Sequence, residues 1–321
     1  MKKIALALIA SISILASCPA SAQGYPNKSI RLVVPLAPGG SADVLGRLLA
    51  QKLSEKYGQT VVVDNRPGVG GNIGAENVAR SAPDGYTLLF GTMGIHSTYQ
   101  VYPKLNYNPS TELKPIVILA AMPNVLVVSK NVKLKDTGAI IKDSVSHPDT
   151  LFFGSAGYGS STHMAGELFK YQSGAKISHV PYKGSGPALT DLVGGRLQMM
   201  FENLPTALPL INSGAIRAVA VTGPSRAASL PNVPTIGEDG LSSYVFTAWF
   251  TIAAPAGTPD DIVRKLNHDI REIMQAPDMQ PRLAEMGVIP GNKDVSATNA
   301  FIAAETAKFG KVIKEAHIVA N

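Results

Sequence analysis

The chain has 321 residues, 45% of them apolar and 16% charged, with 29 basic against 23 acidic residues for a net charge of +6. That length allows two ordinary domains or one large one, and the composition excludes a disordered chain. No dense Lys/Arg tract interleaved with aromatics occurs, which argues against nucleic acid as a partner.

Residues 1–22 read as an export signal. Lys2 and Lys3 form a basic start, residues 4–16 an apolar stretch, and Ala20-Ser21-Ala22 a small-residue cleavage site that leaves Gln23 first in the mature chain. The apolar stretch is short for a bilayer span, and no later one offers about 18 continuous apolar residues. The mature chain is therefore expected in the periplasm and not itself membrane-spanning. Leu15-Ala16-Ser17-Cys18 is a competing lipoprotein-like site that anchors the chain through Cys18. Cys18 is the single cysteine, so cleavage after Ala22 leaves no disulfide, thiolate metal site or cysteine nucleophile. Without Lys2 and Lys3 the balance is 27 basic against 23 acidic, or +4. This field favours anionic ligands, or serves solubility alone.

Short β-like runs then alternate with helical patterns. Residues 30–34 read as a strand, and Ser41 opens a helix to Tyr57 with Leu45, Leu48, Leu49 and Leu53 on its buried face and Gly58 at its end. Strands follow at 61–63 and 87–90, separated by a loop at 65–71 and a helix at 73–80. The pattern recurs with strands at 152–155, 177–182, 199–202 and 216–221 and helices at 162–171 and 187–193. An apolar run at 244–254 precedes helices at 260–275, 278–286 and 296–316. The alternation predicts an α/β protein with mostly parallel sheets flanked by helices. Two β-rich passages, 119–128 and 244–254, are placed to carry the chain between two lobes. Lobe 1 is expected at 23–123 and 247–321, lobe 2 at 124–246, with a ligand cleft between them.

Glycine-rich turns after strands carry the candidate chemistry. Pro35-Leu36-Ala37-Pro38-Gly39-Gly40-Ser41 leads a strand into a helix whose first N–H groups and partial positive charge suit a carboxylate or phosphate. Gly154-Ser155-Ala156-Gly157-Tyr158-Gly159-Ser160-Ser161-Thr162-His163 repeats the device with hydroxyl donors added. Lys183-Gly184-Ser185-Gly186 opens another helix, and Tyr182 offers a flat wall or a hydroxyl. Thr92 and His96 follow the third strand, where open sheets bind ligands. The plain alternatives are tight βα turns and, for His96 and His163, capping or structural histidines.

Enzyme motifs are missing. The nearest approach to G-x-S-x-G, at 153–157, lacks its first glycine. No P-loop occurs, and Gly68-Val69-Gly70-Gly71-Asn72-Ile73-Gly74 misses the dinucleotide spacing by one residue. The six histidines are scattered, so no metal site is expected.

Together the motifs resemble one family, the Bug-type receptors of tripartite tricarboxylate transporters. The resemblance rests on Ile30-Arg31-Leu32-Val33-Val34-Pro35 leading into Pro38-Gly39-Gly40-Ser41-Ala42-Asp43, and on Val63-Asp64-Asn65-Arg66-Pro67-Gly68 with Gly70-Gly71-Asn72-Ile73-Gly74 behind it. Pro83-Asp84-Gly85-Tyr86-Thr87-Leu88, Val180-Pro181-Tyr182-Lys183-Gly184, Asn232-Val233-Pro234-Thr235 and Ala254-Pro255-Ala256-Gly257-Thr258-Pro259 complete it, in order along the mature chain. It implies a two-lobed periplasmic binding protein of the type II kind, expected to be monomeric. Such a protein closes by a hinge on a small carboxylate and hands it to a membrane carrier with one large and one small subunit. It implies no ATP, metal or flavin and no catalytic residues. By position it points to Ala37, Pro38, Gly39, Gly40, Thr92, Ser155, Thr162, His163 and Gly184 as ligand contacts.

Gly157 and Ser160 belong to the same second-lobe turn. Phe201-Glu202-Asn203 stands where the family often has an aspartate between Phe and Asn, so Glu202 either reaches the pocket or pairs with Lys183. Met93-Gly94-Ile95 replaces smaller polar residues, which makes the pocket more apolar and suits an aromatic or longer aliphatic acid. Two other readings use the same fold: an orphan periplasmic sensor feeding a signalling partner, and a periplasmic enzyme on a binding-protein scaffold.

Overall fold

The structure is a computed structural model and describes residues 24–320. The expectations for the leader, its cleavage site and Cys18 lie outside the described residues. In chain order the first elements are β1 (Ile30–Val34), α1 (Ser41–Tyr57), β2 (Val61–Asn65), α2 (Asn72–Ala79), β3 (Thr87–Thr92), α3 (Met93–His96), α4 (Pro109–Glu112) and the long β4 (Leu113–Ser129). There follow α5 (Thr137–Ser146), β5 (Phe152–Ser155), α6 (Ser161–Ser173), β6 (Ser178–Pro181), α7 (Ser185–Val193), β7 (Met199–Asn203), α8 (Leu204–Asn212) and β8 (Ile216–Val221). The chain closes with β9 (Thr247–Pro255), α9 (Asp260–Gln275), α10 (Met279–Glu285), β10 (Ile289–Pro290) and α11 (Val295–Glu315).

Helix α1 shows how local sequence fixes these elements. Leu45, Leu48, Leu49 and Leu53 recur at helical spacing and are buried. Gly58 ends the helix in the left-handed conformation, φ +63°, and its N–H returns to the Ser54 carbonyl at 3.0 Å. Strand β1 buries Ile30, Leu32 and Val34 on one face and Val33 on the other because helices cover both sides of the sheet.

The sheet is mixed rather than mostly parallel. β2-β1-β3 run parallel in one half and β7-β5-β6 in the other, but β4, β8, β9 and β10 pair antiparallel. The reason lies in the connection between halves. β4 pairs with β9 as far as Pro123, then from Asn124 onward with β7 and β8. β9 carries the chain back, so the two crossing strands lie side by side in opposite directions. The first lobe thus holds β1, β2, β3, β9, β10 and the start of β4, and the second holds β5 to β8 and the end of β4. Helices α9 to α11 return to the first lobe, where Tyr57 donates to Asp269 at 2.8 Å and the Asn267 amide to the Ile116 carbonyl at 2.8 Å.

A single buried hydroxyl ties the two crossings together. The Thr222 Oγ1 accepts from the Asn124 N–H at 2.8 Å and lies 3.0 Å from the Asn124 carbonyl and 2.9 Å from that of Phe246. Replacing Thr222 with valine keeps the shape and takes this partner from the Asn124 N–H and the Phe246 carbonyl, so stability should fall by about 2 kcal/mol. Urea unfolding of the variant checks this, and an unchanged midpoint would show that the hydroxyl does not hold the hinge.

Candidate functional site: an enclosed cavity at converging helix N-termini

Between the lobes lies a cavity walled by the starts of five helices. Gly40, Ser41 and Ala42 come from α1, Thr92 and Met93 from the start of α3, Ser160 and Ser161 from α6, Ser185 from α7 and Asn203 from the start of α8. Leu36, Gly70, Ala156, Trp249 and Phe250 complete the lining. Each strand of the parallel sets ends at this seam, so each following helix points its N-terminus inward. This placement follows from the βα order of the chain.

The helix starts are built to leave donors available. No side chain caps α1, α7 or α8, so their first-turn N–H groups remain open to a ligand. Asp43, in the first turn of α1, is engaged elsewhere. It accepts from the Gly39 N–H at 3.1 Å and the Asn65 amide at 3.0 Å, and it pairs with Arg47 at 2.9 Å. Burial pushes its carboxyl up, but these partners outweigh that and hold it below the ordinary range. None of the residues lining the cavity is charged. Its favourable potential for an anion therefore comes from helix dipoles and backbone N–H groups.

The lobes touch around this cavity. The Ala37 N–H donates to the Lys183 carbonyl at 3.0 Å, Thr98 to the Gly159 carbonyl at 2.5 Å, and the Tyr102 hydroxyl to the Tyr158 carbonyl at 3.1 Å. The cavity offers only about 20 Å³ to the centre of a water-sized sphere, room for about one water. Anything larger enters only when the lobes part. A wider pocket of about 520 Å³ shares Leu36, Gly70 and Ala156 with it and opens toward solvent past Tyr102, Tyr158, Tyr182 and Lys183.

The sequence candidates divide into groups. Gly40, Ser41, Thr92, Met93, Ser160 and Asn203 meet in the cavity. Ala37, Pro38, Gly39 and Gly184 form the seam between lobes: a Cβ on Gly184 would stand 2.8 Å from the Ala37 nitrogen, and one on Gly39 3.7 Å from the Gly186 Cα. Gly157, Tyr182 and Lys183 line the outer pocket.

Thr162 and His163 direct their hydrogen bonds to their own turn, and Ser155 to its turn and to His179 on β6. Ser155 Oγ accepts from the Gly157 N–H at 3.0 Å and meets His179 Nε2 at 2.6 Å. Thr162 Oγ1 accepts from the Ala156 N–H at 2.8 Å, and His163 Nδ1 from the Gly159 N–H at 3.1 Å. The His163 ring stacks on His179 at 4.1 Å, and burial holds it well below its ordinary pKa, so it stays neutral. His96 lies apart from the cavity in a pocket beside α11, and burial lowers its pKa to about 4.

Glu202 is fully buried and does not pair with Lys183, whose side chain is exposed. Its Oε1 accepts from the Thr206 hydroxyl at 2.6 Å, and Oε2 has no hydrogen-bond partner among the described residues. Burial pushes its carboxyl up to about 7, with the nearby Thr206 and Ser185 hydroxyls and the Asn203 backbone acting in the opposite direction.

Sequence reasoning did not single out Trp249 or Phe250. Both lie on β9, and only the crossing of that strand brings them to the cavity. Trp249 is the single tryptophan; its Nε1 donates to Glu305 at 3.1 Å and its ring meets Phe301 edge-on at 5.4 Å. Its emission should therefore change on ligand binding. A saturable fluorescence change that is lost in Trp249→Phe checks this.

Known proteins match this chain along most of its length. The profile of the tripartite tricarboxylate transporter family receptor matches residues 45–318. The protein BugT of Bordetella pertussis is 38% identical over 301 residues, spanning 93% of this chain and 92% of BugT. The structure of R. palustris Rpa4515 with adipate superposes with a TM-score of 0.89 at 41% identity, covering 92% of this chain and 99% of that one. MatC (Rpa3494) from Rhodopseudomonas palustris with bound malate gives 0.86 at 31% identity, covering 90% and 100%. These matches agree with the two-lobed fold and the cleft between its lobes, and the chain belongs to the receptor family of tripartite tricarboxylate transporters.

Proposed function

We propose that this chain is an exported receptor that captures a small carboxylate in the periplasm by hinge closure and delivers it to a membrane carrier with one large and one small subunit. The observation that carries this reading is the enclosed cavity at which five helix starts converge without a charged side chain in the lining. Such a site neutralises an anion through backbone donors and leaves its release easy, as transport requires. Adipate and malate, named with two structural relatives, are both dicarboxylates, which supports a dicarboxylate here. Lobe boundaries at 123/124 and 246/247 belong to the proposal; they fall where β4 changes partners and where β9 begins. Among the described residues no helix is long and apolar enough to cross a membrane.

Ligand bridges the two lobes and shifts the population toward a form closed around it, with a cavity wider than the one described above. In this reading the compound leaves unchanged. A thermal-shift panel of C4 to C8 dicarboxylates, citrate, acidic amino acids and aromatic acids tests it. A ligand at a hundred times its Kd stabilises the fold by about 2.7 kcal/mol. One chemical class should raise the melting temperature with the logarithm of its concentration and be recovered intact. Chemical conversion of the stabilising compound would instead favour an enzyme on this scaffold.

A further inference from the structure

The ligand cavity is joined to a buried carboxyl by two hydroxyls. Ser41, at the start of α1 in the first lobe, lines the cavity, and its Oγ lies 2.9 Å from the Thr206 Oγ1 of the second lobe. Thr206 in turn contacts Glu202 Oε1 at 2.6 Å and the Asn203 carbonyl at 3.2 Å. Each hydroxyl owns one proton, so the direction of one bond limits that of the next.

When Glu202 is ionised, both its oxygens only accept. Thr206 must then spend its proton on Oε1, and the 2.9 Å contact is a hydrogen bond only if Ser41 donates to Thr206. Ser41 is left facing the cavity with lone pairs, which repel a carboxylate. When Glu202 carries a proton on Oε1, it donates to Thr206. The Thr206 proton is then free to turn to Ser41 or to the Asn203 carbonyl, and where it turns to Ser41 the serine's own proton points into the cavity.

We propose that Glu202 sets the hydrogen-bonding polarity of the cavity through Thr206 and Ser41, so that carboxylate binding is coupled to uptake of one proton from solvent. This rests on the carboxylate reading above.

No charged neighbour competes for the control of Glu202. Val125 stands opposite it on β4, and α8 carries no titratable residue. On α1, Asp43 is held by Arg47 and Asn65. On α7, Asp191 is held by Tyr182 and Arg196. On α6, His163 is bound to the Gly159 N–H, and Glu167 pairs with Lys170. Lys183, before α7, is exposed. Burial and hydrogen bonds alone place the carboxyl at about 7, where the switch operates.

The test is calorimetric titration of the protein with adipate and malate between pH 6 and 9, in phosphate and in Tris, whose ionisation enthalpies differ. Proton uptake should approach one per ligand at high pH, and affinity should fall roughly a hundredfold across the range. Glu202→Gln, which is always neutral, should bind with no proton uptake and a flat pH profile. Adipate or malate binding without proton uptake by the unsubstituted protein overturns the inference while leaving the receptor reading intact. The infrared absorption of the protonated carboxyl, followed in the ligand-free protein against Glu202→Gln, is independent of both ligands. Loss of that band as pH rises through about 7 supports the proposal, and a Glu202 already ionised at pH 6 overturns it even if neither acid binds.

Discussion

Replacing Gly186 with alanine is expected to weaken carboxylate binding about a hundredfold while leaving the ligand-free protein at least as stable. Gly186 lies in the first turn of α7, in the second lobe. A Cβ there would stand 2.3 Å from the Pro38 carbonyl oxygen of the first lobe, a distance backbone atoms do not accept. Within its own helix alanine is preferred over glycine by about 1 kcal/mol. The substitution therefore favours the lobe and penalises only the seam. A clash of about 3 kcal/mol in the closed form alone lowers apparent affinity by about two orders of magnitude. Calorimetry with adipate and a melting curve on the same sample separate the two effects. Unchanged affinity would mean that the ligand-bound form does not bring Gly186 against Pro38.

Replacing Glu202 with glutamine has the second large effect, on stability rather than on shape. The folded carboxyl is raised by burial from 4.5 to about 7. Between those values the folded state holds a proton that the unfolded state has released, so stability falls as pH rises through this window and then levels off. The loss amounts to about 3 kcal/mol. Glutamine keeps the shape without the titration, so the variant should match the original near pH 4.5 and exceed it by about 3 kcal/mol at pH 8. Denaturant unfolding at the two pH values measures the difference. An offset that does not change with pH would show that Glu202 is not the titrating group.

Much of the architecture is legible in the chain itself. α1 announces itself by leucine spacing and Gly58, and the parallel strands by short β-branched runs between glycine-rich turns. Helix α8 was harder to see, because it carries Pro205 in its first turn and Pro209 inside, both of which read as breaks. Helix α5 is amphipathic but starts from Asp136 in a polar stretch, where only the cap bond to the Ala139 N–H marks it. The mixed sheet was hidden for a different reason. Strand direction at the crossing of β4 and β9 depends on pairing between residues more than a hundred positions apart.

The candidate site shows the same division. A glycine-rich turn before a helix reveals that N–H groups are on offer, and the starts of α1, α6 and α7 were readable for that reason. The target of a hydroxyl in such a turn is not readable. Ser155, Thr162 and Ser160 look alike in sequence, yet the first two bind their own backbone and only Ser160 also reaches the cavity wall. Trp249 gave no local signal, since its place depends on where β9 crosses. Glu202 stood out as a departure from the family pattern, but its link to the cavity appears only when Thr206 and Ser41 are brought together from opposite lobes.

In the proposed mode of binding, backbone donors at the helix starts hold an anion between closing lobes. Its most direct test is calorimetric titration of protein freed of bound compounds by unfolding and refolding, with adipate in parallel with its diamide. The two have the same length and differ in charge. The diacid is expected to bind at least about a hundredfold more tightly than the diamide. Equal binding of the two, or tighter binding of the diamide, would contradict it.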